Sequence, residues 1–121
     1  MISKELLSKV LNETVTIVKV PYKDTKRYVY FDLENGKELA INIYELANKC
    51  KEWAHMRDYC VNSYKSKTRL KPWEAYISEN RKIKILTLYD SDIVYEEELK
   101  WFDSTEPEAT FKACQWILDN D

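Results

Sequence analysis

The sequence predicts an α+β fold in which two or three helices cover an antiparallel sheet, within a single domain spanning residues 1–121. Several runs of β-branched and aromatic residues are separated by polar turns, as in strands that pair as hairpins. Three other segments place apolar residues at helical spacing behind good N-cap residues. The order is helix, strands, helix, strands, helix, which favours helices packed on an antiparallel sheet. A chain of 121 residues has room for one hydrophobic core.

The first helix is predicted in SKELLSKVLN, with Ser3 as its N-cap and Asn12 as its stop. Three strands follow it, in TVTIVKV, KRYVYFDL and ELAI. The Asn35-Gly36 pair is the strongest turn signal in the chain and separates the second strand from the third. We therefore expect a helix followed by a small meander of strands.

The second of these strands alternates in polarity along its length. One face carries Tyr28, Tyr30 and Asp32, and the other carries Val29, Phe31 and Leu33. Alternation with a period of two indicates a strand whose two faces meet different surroundings.

The clearest helix is predicted in NIYELANKCKEWAHMRD. Asn42 is its N-cap, and Glu45 stands three residues further on, where a capping box places an acidic residue. The apolar stripe of this helix consists of Ile43, Leu46, Ala47, Cys50, Trp53 and Ala54. That spacing indicates one face turned towards a core.

Four further strands are predicted in YCVNSY, WEAYIS, KIKILTLY and IVYEEELKWF. The last two are expected to pair as antiparallel neighbours around a turn at Asp90, Ser91 and Asp92.

The final helix is predicted in TEPEATFKACQWILDND. Thr105 is its N-cap, Pro107 lies in the first turn, and Glu106 and Glu108 favour the positive end of the helix dipole. The expected docking stripe is Ala113, Cys114, Ile117 and Leu118, with Phe111 and Trp116 on its flanks. We expect this helix to pack on the sheet beside the Asn42 helix.

Composition excludes several classes of protein. Gly36 is the only glycine, so the glycine-rich loops that cradle phosphates are excluded. No segment is apolar and long enough to span a bilayer, and the start MISKELLSKV lacks the apolar core of a signal peptide. No membrane association is predicted, and the expected location is the cytoplasm. Nine Tyr and four Trp supply amphipathic rings of the kind enriched at interfaces.

The residues with catalytic or metal-binding potential are few. Cys50, Cys60 and Cys114 are predicted to be reduced thiols, because they are odd in number and widely spaced. Cys50, His55 and Cys60 are five residues apart, but on a helix a step of five turns the side chain by about 140°. His55 is the only histidine and falls off the apolar stripe. We predict no metal, no cofactor and no enzymatic activity.

Charge is distributed unevenly along the chain, although the formal net charge is only −2. The loop of residues 65–84 is basic, with Lys65, Lys67, Arg69, Lys71, Arg81, Lys82 and Lys84. The stretch from residue 90 to 108 is acidic, with Asp90, Asp92, Glu96, Glu97, Glu98, Asp103, Glu106 and Glu108. Neighbouring strands could neutralise each other across the sheet, or either region could bind a partner.

The segment TEPEATFKACQWILDN resembles the closing helix of small phage-encoded proteins of the helix–sheet–helix (ABA sandwich) type. The resemblance rests on Thr105, Pro107, Ala109, Ala113 and Leu118, and YELANKCKEWAH resembles an earlier helix of such proteins. It covers about a quarter to a third of the chain, and residues 65–73 have no counterpart in it. The resemblance implies phage or prophage origin, hence the cytoplasm of the host cell, but no particular activity.

The sequence leaves two functional hypotheses. The first is a non-catalytic protein-binding module, such as an inhibitor of a bacterial host defence system of the anti-CRISPR kind, which uses an acidic face to occupy a basic groove. That acidic face consists of Asp90, Asp92, Glu96, Glu97 and Glu98. The alternative is a nucleic-acid or nucleotide-signal binding protein, although the pI near 5.5 is low for that class. Its residues would be Lys65, Lys67, Arg69, Lys71 and Trp73 of the basic loop. A homodimer formed through an exposed strand edge is compatible with either hypothesis.

Overall fold

The computed structural model describes residues 1–20, 22–24, 26–67, 70–77 and 99–120. Those ranges contain three helices, α1 (Lys4–Leu11), α2 (Ile43–His55) and α3 (Glu106–Asn120). They also contain six strands, β1 (Val15–Lys19), β2 (Tyr28–Leu33), β3 (Glu38–Asn42), β4 (Val61–Lys65), β5 (Trp73–Ile77) and β6 (Lys100–Asp103). The predicted α+β class is confirmed, and the described helices and strands follow one another in the predicted order.

The strands are divided between two antiparallel sheets. The first sheet has the order β1-β2-β3, and the second has the order β4-β5-β6. Helix α2 starts directly after β3, because Asn42 ends the strand and caps the helix. The chain therefore leaves the first sheet without a linker and begins the second only after the helix.

Local signals fix the starts of the three helices as predicted. The Ser3 hydroxyl accepts a hydrogen bond from the Leu6 N–H at 3.1 Å at the start of α1. The Asn42 side chain accepts from the N–H groups of Tyr44 and Glu45 at 2.9 and 3.2 Å. Thr105 accepts from the backbone N–H of residue 108 at 3.4 Å. Each cap satisfies N–H groups that have no partner within the first helical turn.

One hydrophobic core connects all three helices with both sheets. Helix α3 packs on β4, β5 and β6 and lies against α2, as predicted, while α1 contacts β1 and α2 contacts β3. The helices therefore contact both sheets and link them through the core.

The face of α3 that is buried is wider than the sequence predicted. Phe111, expected on the flank, is in the core with 2% of its surface exposed, whereas Leu118, expected on the docking stripe, is half-buried. Thr110, for which no burial was predicted, is fully buried. The reason is that α3 contacts the second sheet, α2 and α1 at once, so several sides of the helix are covered. An apolar stripe that assumes a single neighbouring element underestimates how much of the surface of such a helix is buried.

Part of the second half of the sequence lies outside the described residues. The predicted strand KIKILTLY, the turn at Asp90, Ser91 and Asp92, and the segment IVYEEE all fall there. The end of the last predicted strand is β6, which pairs with β5 in the register that joins Trp73 to Asp103 and Tyr76 to Lys100.

Candidate functional site

The first sheet has one face in the core and one face turned outwards. In β2, Val29, Phe31 and Leu33 are buried, so the intervening Tyr28, Tyr30 and Asp32 point to the other side. Directly paired residues of antiparallel strands point to the same side, which adds side chains of β1 and β3 to this surface. We define the tyrosine face as Ile17, Lys19, Tyr22, Tyr28, Tyr30, Asp32 and Glu38. Ile17 and Tyr28 are 54% and 39% exposed.

Three tyrosine rings form a contiguous cluster on this face. The ring centroids of Tyr22 and Tyr30 are 5.0 Å apart at an interplanar angle of 70°, and those of Tyr28 and Tyr30 are 6.1 Å apart. Edge-to-face packing of this kind is a preferred arrangement of aromatic pairs. The backbone N–H of Asp24 donates to the Tyr30 hydroxyl at 3.3 Å, which ties the hairpin between β1 and β2 to the cluster. The central ring is therefore held from both sides.

A charged group of three side chains adjoins the rings. The Lys19 ammonium lies 2.8 Å from a carboxylate oxygen of Glu38 and 3.1 Å from one of Asp32. It also lies 5.0 Å from the centroid of the Tyr22 ring, within the range of a cation–π contact. Lys19 is thus the link between the rings and the two carboxylates.

The ionisation of this group reflects those contacts. Hydrogen bonds to Glu38 and then Asp32 raise the pKa of Lys19 to about 12. The pKa of Glu38 is lowered by its hydrogen bond with Lys19 first, and then by the Tyr22 hydroxyl, which donates to the same carboxylate. Both groups are charged at neutral pH, and each orients the other.

A basic rim borders the tyrosine face at the hairpin between β1 and β2. The Lys23 ammonium lies 5.3 Å from the Tyr22 ring centroid, and Lys26 is exposed. Arg27 is 77% exposed in its side chain and lies 3.4 Å from the Asp24 carboxylate. We call Lys23, Lys26 and Arg27 the hairpin tip.

The basic loop that the sequence singled out is partly described. Lys65, Lys67 and Lys71 are exposed, and Arg69 lies outside the described residues. Trp73 stands directly opposite Lys65 in the second sheet, but its ring is half-buried and packs against the hydrophobic core.

The aromatic residues near this loop do not share a surface. Tyr76 is three positions from Trp73 on β5 and therefore points to the opposite face of the strand, where it contacts Tyr64. On the other side of Trp73 is Asp103, which Lys112 approaches to 2.8 Å. Although partial burial opposes it, hydrogen bonds from Lys112 and from a backbone N–H lower the pKa of Asp103. An ionised carboxylate thus stands beside this loop.

The acidic face proposed from the sequence lies outside the described residues. This applies to each of its members, Asp90, Asp92, Glu96, Glu97 and Glu98. The described part of the chain therefore does not test whether these five residues share one surface.

One cluster combines a hydroxyl, an amine and a carboxylate. Lys51 donates to Ser63 at 3.1 Å and to Glu106 at 3.3 Å, and Ser63 donates to the same Glu106 oxygen at 2.9 Å. Lys51 and Ser63 both donate to the Glu106 carboxylate. In this arrangement Lys51 acts as a hydrogen-bond donor to Ser63, and not as a base that could take a proton from it. The cluster ties α2 and β4 to the first turn of α3.

The cysteines and the histidine are placed without a shared site. Cys50 and Cys114 are buried against each other, Cys60 is half-buried, and His55 is exposed near the end of α2. Within the described ranges, no group of three or more His, Cys, Asp or Glu side chains could hold a metal ion.

A shallow groove lies beside α3 and the N-terminus. Its lining includes Met1, Trp101 and Trp116, whose indole rings are 6.1 Å apart. Polar side chains of its lining already have partners: Gln115 accepts from Ser3 at 2.6 Å and donates to Asp119 at 3.0 Å, and Lys112 pairs with Asp103 at 2.8 Å. The groove therefore contributes packing rather than an arrangement of free polar groups.

The sequence contained one sign of the tyrosine face, namely the alternation of Tyr28, Tyr30 and Asp32 with apolar residues. It did not contain the register of the sheet. Lys19 and Glu38 meet only because β1 and β3 lie on either side of β2. Charge runs along the chain do not reveal this site, because its charged residues come from three separate strands.

Comparisons with protein-family models, with curated proteins and with solved structures found no match to this chain. The resemblance to phage-encoded helix–sheet–helix proteins accordingly stays a prediction. None of the helices in the described ranges combines the length and the apolar composition that crossing a bilayer requires.

Proposed function

We propose that this chain is a non-catalytic protein-binding module and that it contacts its partner through the tyrosine face. The observation that carries the proposal is the fixed cluster of Tyr22, Tyr28 and Tyr30 on an outward-facing side of a sheet. Tyrosine offers a large contact area, a polar end and few rotatable bonds, which is why it is enriched at the centres of interfaces.

Preorganisation supports the same proposal. Lys19 is held by Glu38, Asp32 and the Tyr22 ring, so little side-chain freedom remains to be lost when a partner binds. Ile17 adds exposed apolar area beside Asp32, its neighbour across the strands. Such a surface combines apolar contact with hydrogen-bonding groups that are already oriented.

The alternative, binding of a nucleic acid or a nucleotide signal, has less support among the described residues. Single-stranded nucleic acids stack on open aromatic faces beside free cations. Two lysine ammonium groups lie over the Tyr22 ring, and the ring of Trp73 in the basic loop is half-buried. The exposed Lys65, Lys67 and Lys71 keep this alternative as an outcome of the test below.

The narrower proposal, an inhibitor of a bacterial host defence system, depends on the phage-protein resemblance alone. The described surfaces are compatible with it but do not select a partner of that kind.

A photo-crosslinking experiment tests the tyrosine face directly. Benzoylphenylalanine replaces Tyr28 in one variant and Met56, which is 87% exposed beyond α2, in a control variant. Both are irradiated in bacterial lysate, in parallel samples with and without nuclease treatment, and the crosslinked proteins are identified by mass spectrometry. A protein captured from position 28 and not from position 56 is then purified for binding measurements.

The purified protein should bind the unmodified chain and lose affinity for Tyr28→Ala and Tyr22→Ala. Truncating an aromatic residue at the centre of an interface typically weakens binding by about 30-fold or more. Met56→Ala should bind as the unmodified chain does. Unchanged affinity in both tyrosine variants, or capture that disappears after nuclease treatment, would refute the proposal.

A further inference from the structure

We infer that the partner presents an acidic segment to the hairpin tip and an apolar side chain to the adjoining part of the tyrosine face. This inference rests on the proposed function, because it names the chemistry of the partner that would occupy the same surface.

The cations of this surface fall into two groups: the one at the centre has carboxylate partners, and two of those at the hairpin tip have none among the residues that the structure describes. At the centre, Lys19 is shared by Asp32 and Glu38, so two carboxylates meet one cation. At the tip, Arg27 is paired with Asp24. Within the described ranges, no carboxylate forms an ion pair with Lys23 or Lys26. The cations that a partner could neutralise are therefore the two lysines of the tip.

Lys23 connects the tip to the aromatic cluster. Its ammonium lies over the Tyr22 ring at 5.3 Å from the centroid, and its charge contributes to the lowered pKa of Glu38. A carboxylate bound to Lys23 would thus stand next to the tyrosine cluster rather than apart from it. Charge complementarity at such a rim speeds association and fixes orientation.

Exposed apolar area adjoins the tip on the tyrosine face. Tyr28, which directly follows Arg27 in the chain, is 39% exposed, and Ile17 is 54% exposed further along the same face, where it pairs with Asp32. A partner segment with only acidic side chains would leave the exposed apolar side chains uncovered. It would also place its carboxylates near those of Asp32 and Glu38, which repel them. A segment with acidic residues beside a large apolar residue matches both regions.

The same arrangement disfavours nucleic acid as the occupant. A phosphate chain laid across the face from the tip would run along the two carboxylates beside Lys19. A protein segment can alternate acidic and apolar side chains, whereas a nucleic acid carries a charge at every step.

The inference is tested with synthetic probes and fluorescence anisotropy. The first probe is a short labelled peptide of aspartates and glutamates around a central Leu-Phe pair. The second has lysines in place of every acidic residue, and the third is a labelled oligothymidylate. The tip variant is Lys23→Glu with Lys26→Glu, and its matched control is Lys65→Glu with Lys67→Glu, which changes the net charge equally.

We expect the acidic peptide to bind more tightly than the lysine peptide and the oligothymidylate. The tip variant should weaken that binding by about tenfold, as the loss of two exposed ion pairs allows, and the effect should be larger at low salt. The control variant should bind as the unmodified chain does. Equal midpoints of chemical denaturation would show that the tip variant is folded.

Three results would overturn the inference: no binding of the acidic peptide, preference for the oligothymidylate, or equal loss in the control variant. The proposed function fails separately. If Tyr28→Ala abolishes binding of the crosslinked partner while the tip variant binds it normally, the proposed role of the tyrosine face is supported. The inference that the partner presents an acidic segment is then refuted. If neither change affects that partner, both proposals are refuted.

Discussion

Lys19 of β1 and Glu38 of β3 form an ion pair of 2.8 Å across β2, the strand that separates them. Asp32 of the intervening strand shares the same ammonium at 3.1 Å. All three strands of the first sheet therefore meet in one charged group on its outer face. Their meeting is a consequence of register, since each residue is separated in sequence from the others.

The first prediction concerns the titration of Glu38. Its pKa should lie below the ordinary value for glutamate and should rise in Lys19→Met, because the hydrogen bond with the ammonium is the largest cause of the shift. Carbon-13 NMR of the glutamate carboxyl groups measures this directly. The control is Lys49→Met on α2, which should leave the titration of Glu38 unchanged.

The lowered pKa of Glu38 also determines how the free energy of unfolding should change with pH. A carboxyl whose pKa is lower in the folded chain favours folding above its unfolded pKa and loses that contribution as the pH falls through the folded value. The stability of the unmodified chain should therefore fall more steeply in acid than that of Glu38→Gln. Identical pH dependence in the two proteins would show that Glu38 is not stabilised by Lys19 in solution.

The second prediction compares two aromatic residues of the helices. Phe111 is in the core, whereas Trp53 is half-buried, with the Arg57 guanidinium 4.7 Å from its ring centroid. Phe111→Ala should cost about 3–5 kcal/mol of unfolding free energy, as full truncation in a core does, and Trp53→Ala about 2 kcal/mol. Urea denaturation measures both. A larger loss for Trp53 than for Phe111 would contradict the burial of α3 described above.

Asn42 and Phe111 illustrate which features of this fold the sequence predicts and which it does not. Caps and period identify the helices, because a residue such as Asn42 acts on N–H groups of its own first turn. The burial of Phe111 depends on three neighbours of α3 that are remote in sequence. Local patterns therefore predicted the existence of the element and one docking face, and they underestimated how much of the helix is covered.

The candidate site shows the same limit more strongly. The alternation at Tyr28 and Tyr30 predicted an outward-facing row. It did not predict that Tyr22 of the hairpin would pack against that row, nor that Lys19 would be neutralised from two strands. The charge runs along the chain predicted other sites, and one of these runs, in residues 90–98, lies outside the described residues.

The third prediction concerns the only glycine. Gly36 has a φ of +82° in the turn between β2 and β3, and no heavy atom outside Gly36 and its two chain neighbours lies within 4 Å of the position that a Cβ would take. Any cost of substitution should therefore come from backbone conformation and not from crowding. Gly36→Ala should destabilise the chain by about 1 kcal/mol, and Gly36→Asn by less, because asparagine tolerates the left-handed region better. Equal losses in thermal denaturation would contradict this account.

The fourth prediction concerns thiol reactivity. Cys50 and Cys114 are buried between α2 and α3, and the Cys114 thiol donates to the Cys50 carbonyl at 3.6 Å. A hydrogen bond with the Cys114 thiol, and then burial, raise the pKa of Cys50 far above its ordinary range. Because the thiolate is the reactive form, Cys50 should resist alkylation in the folded chain. Cys60 is half-buried and should be alkylated first.

Iodoacetamide labelling followed by peptide mass spectrometry measures the three rates separately. Cys60 should be modified in the native protein, while Cys50 and Cys114 should be modified only as fast as the chain opens. In guanidinium chloride all three should react at similar rates, which controls for differences in peptide detection. The variant Cys60→Ser should then be inert under native conditions. Rapid native labelling of Cys114 in that variant would mean that α2 and α3 separate readily, and the packing that encloses both thiols would have to be revised.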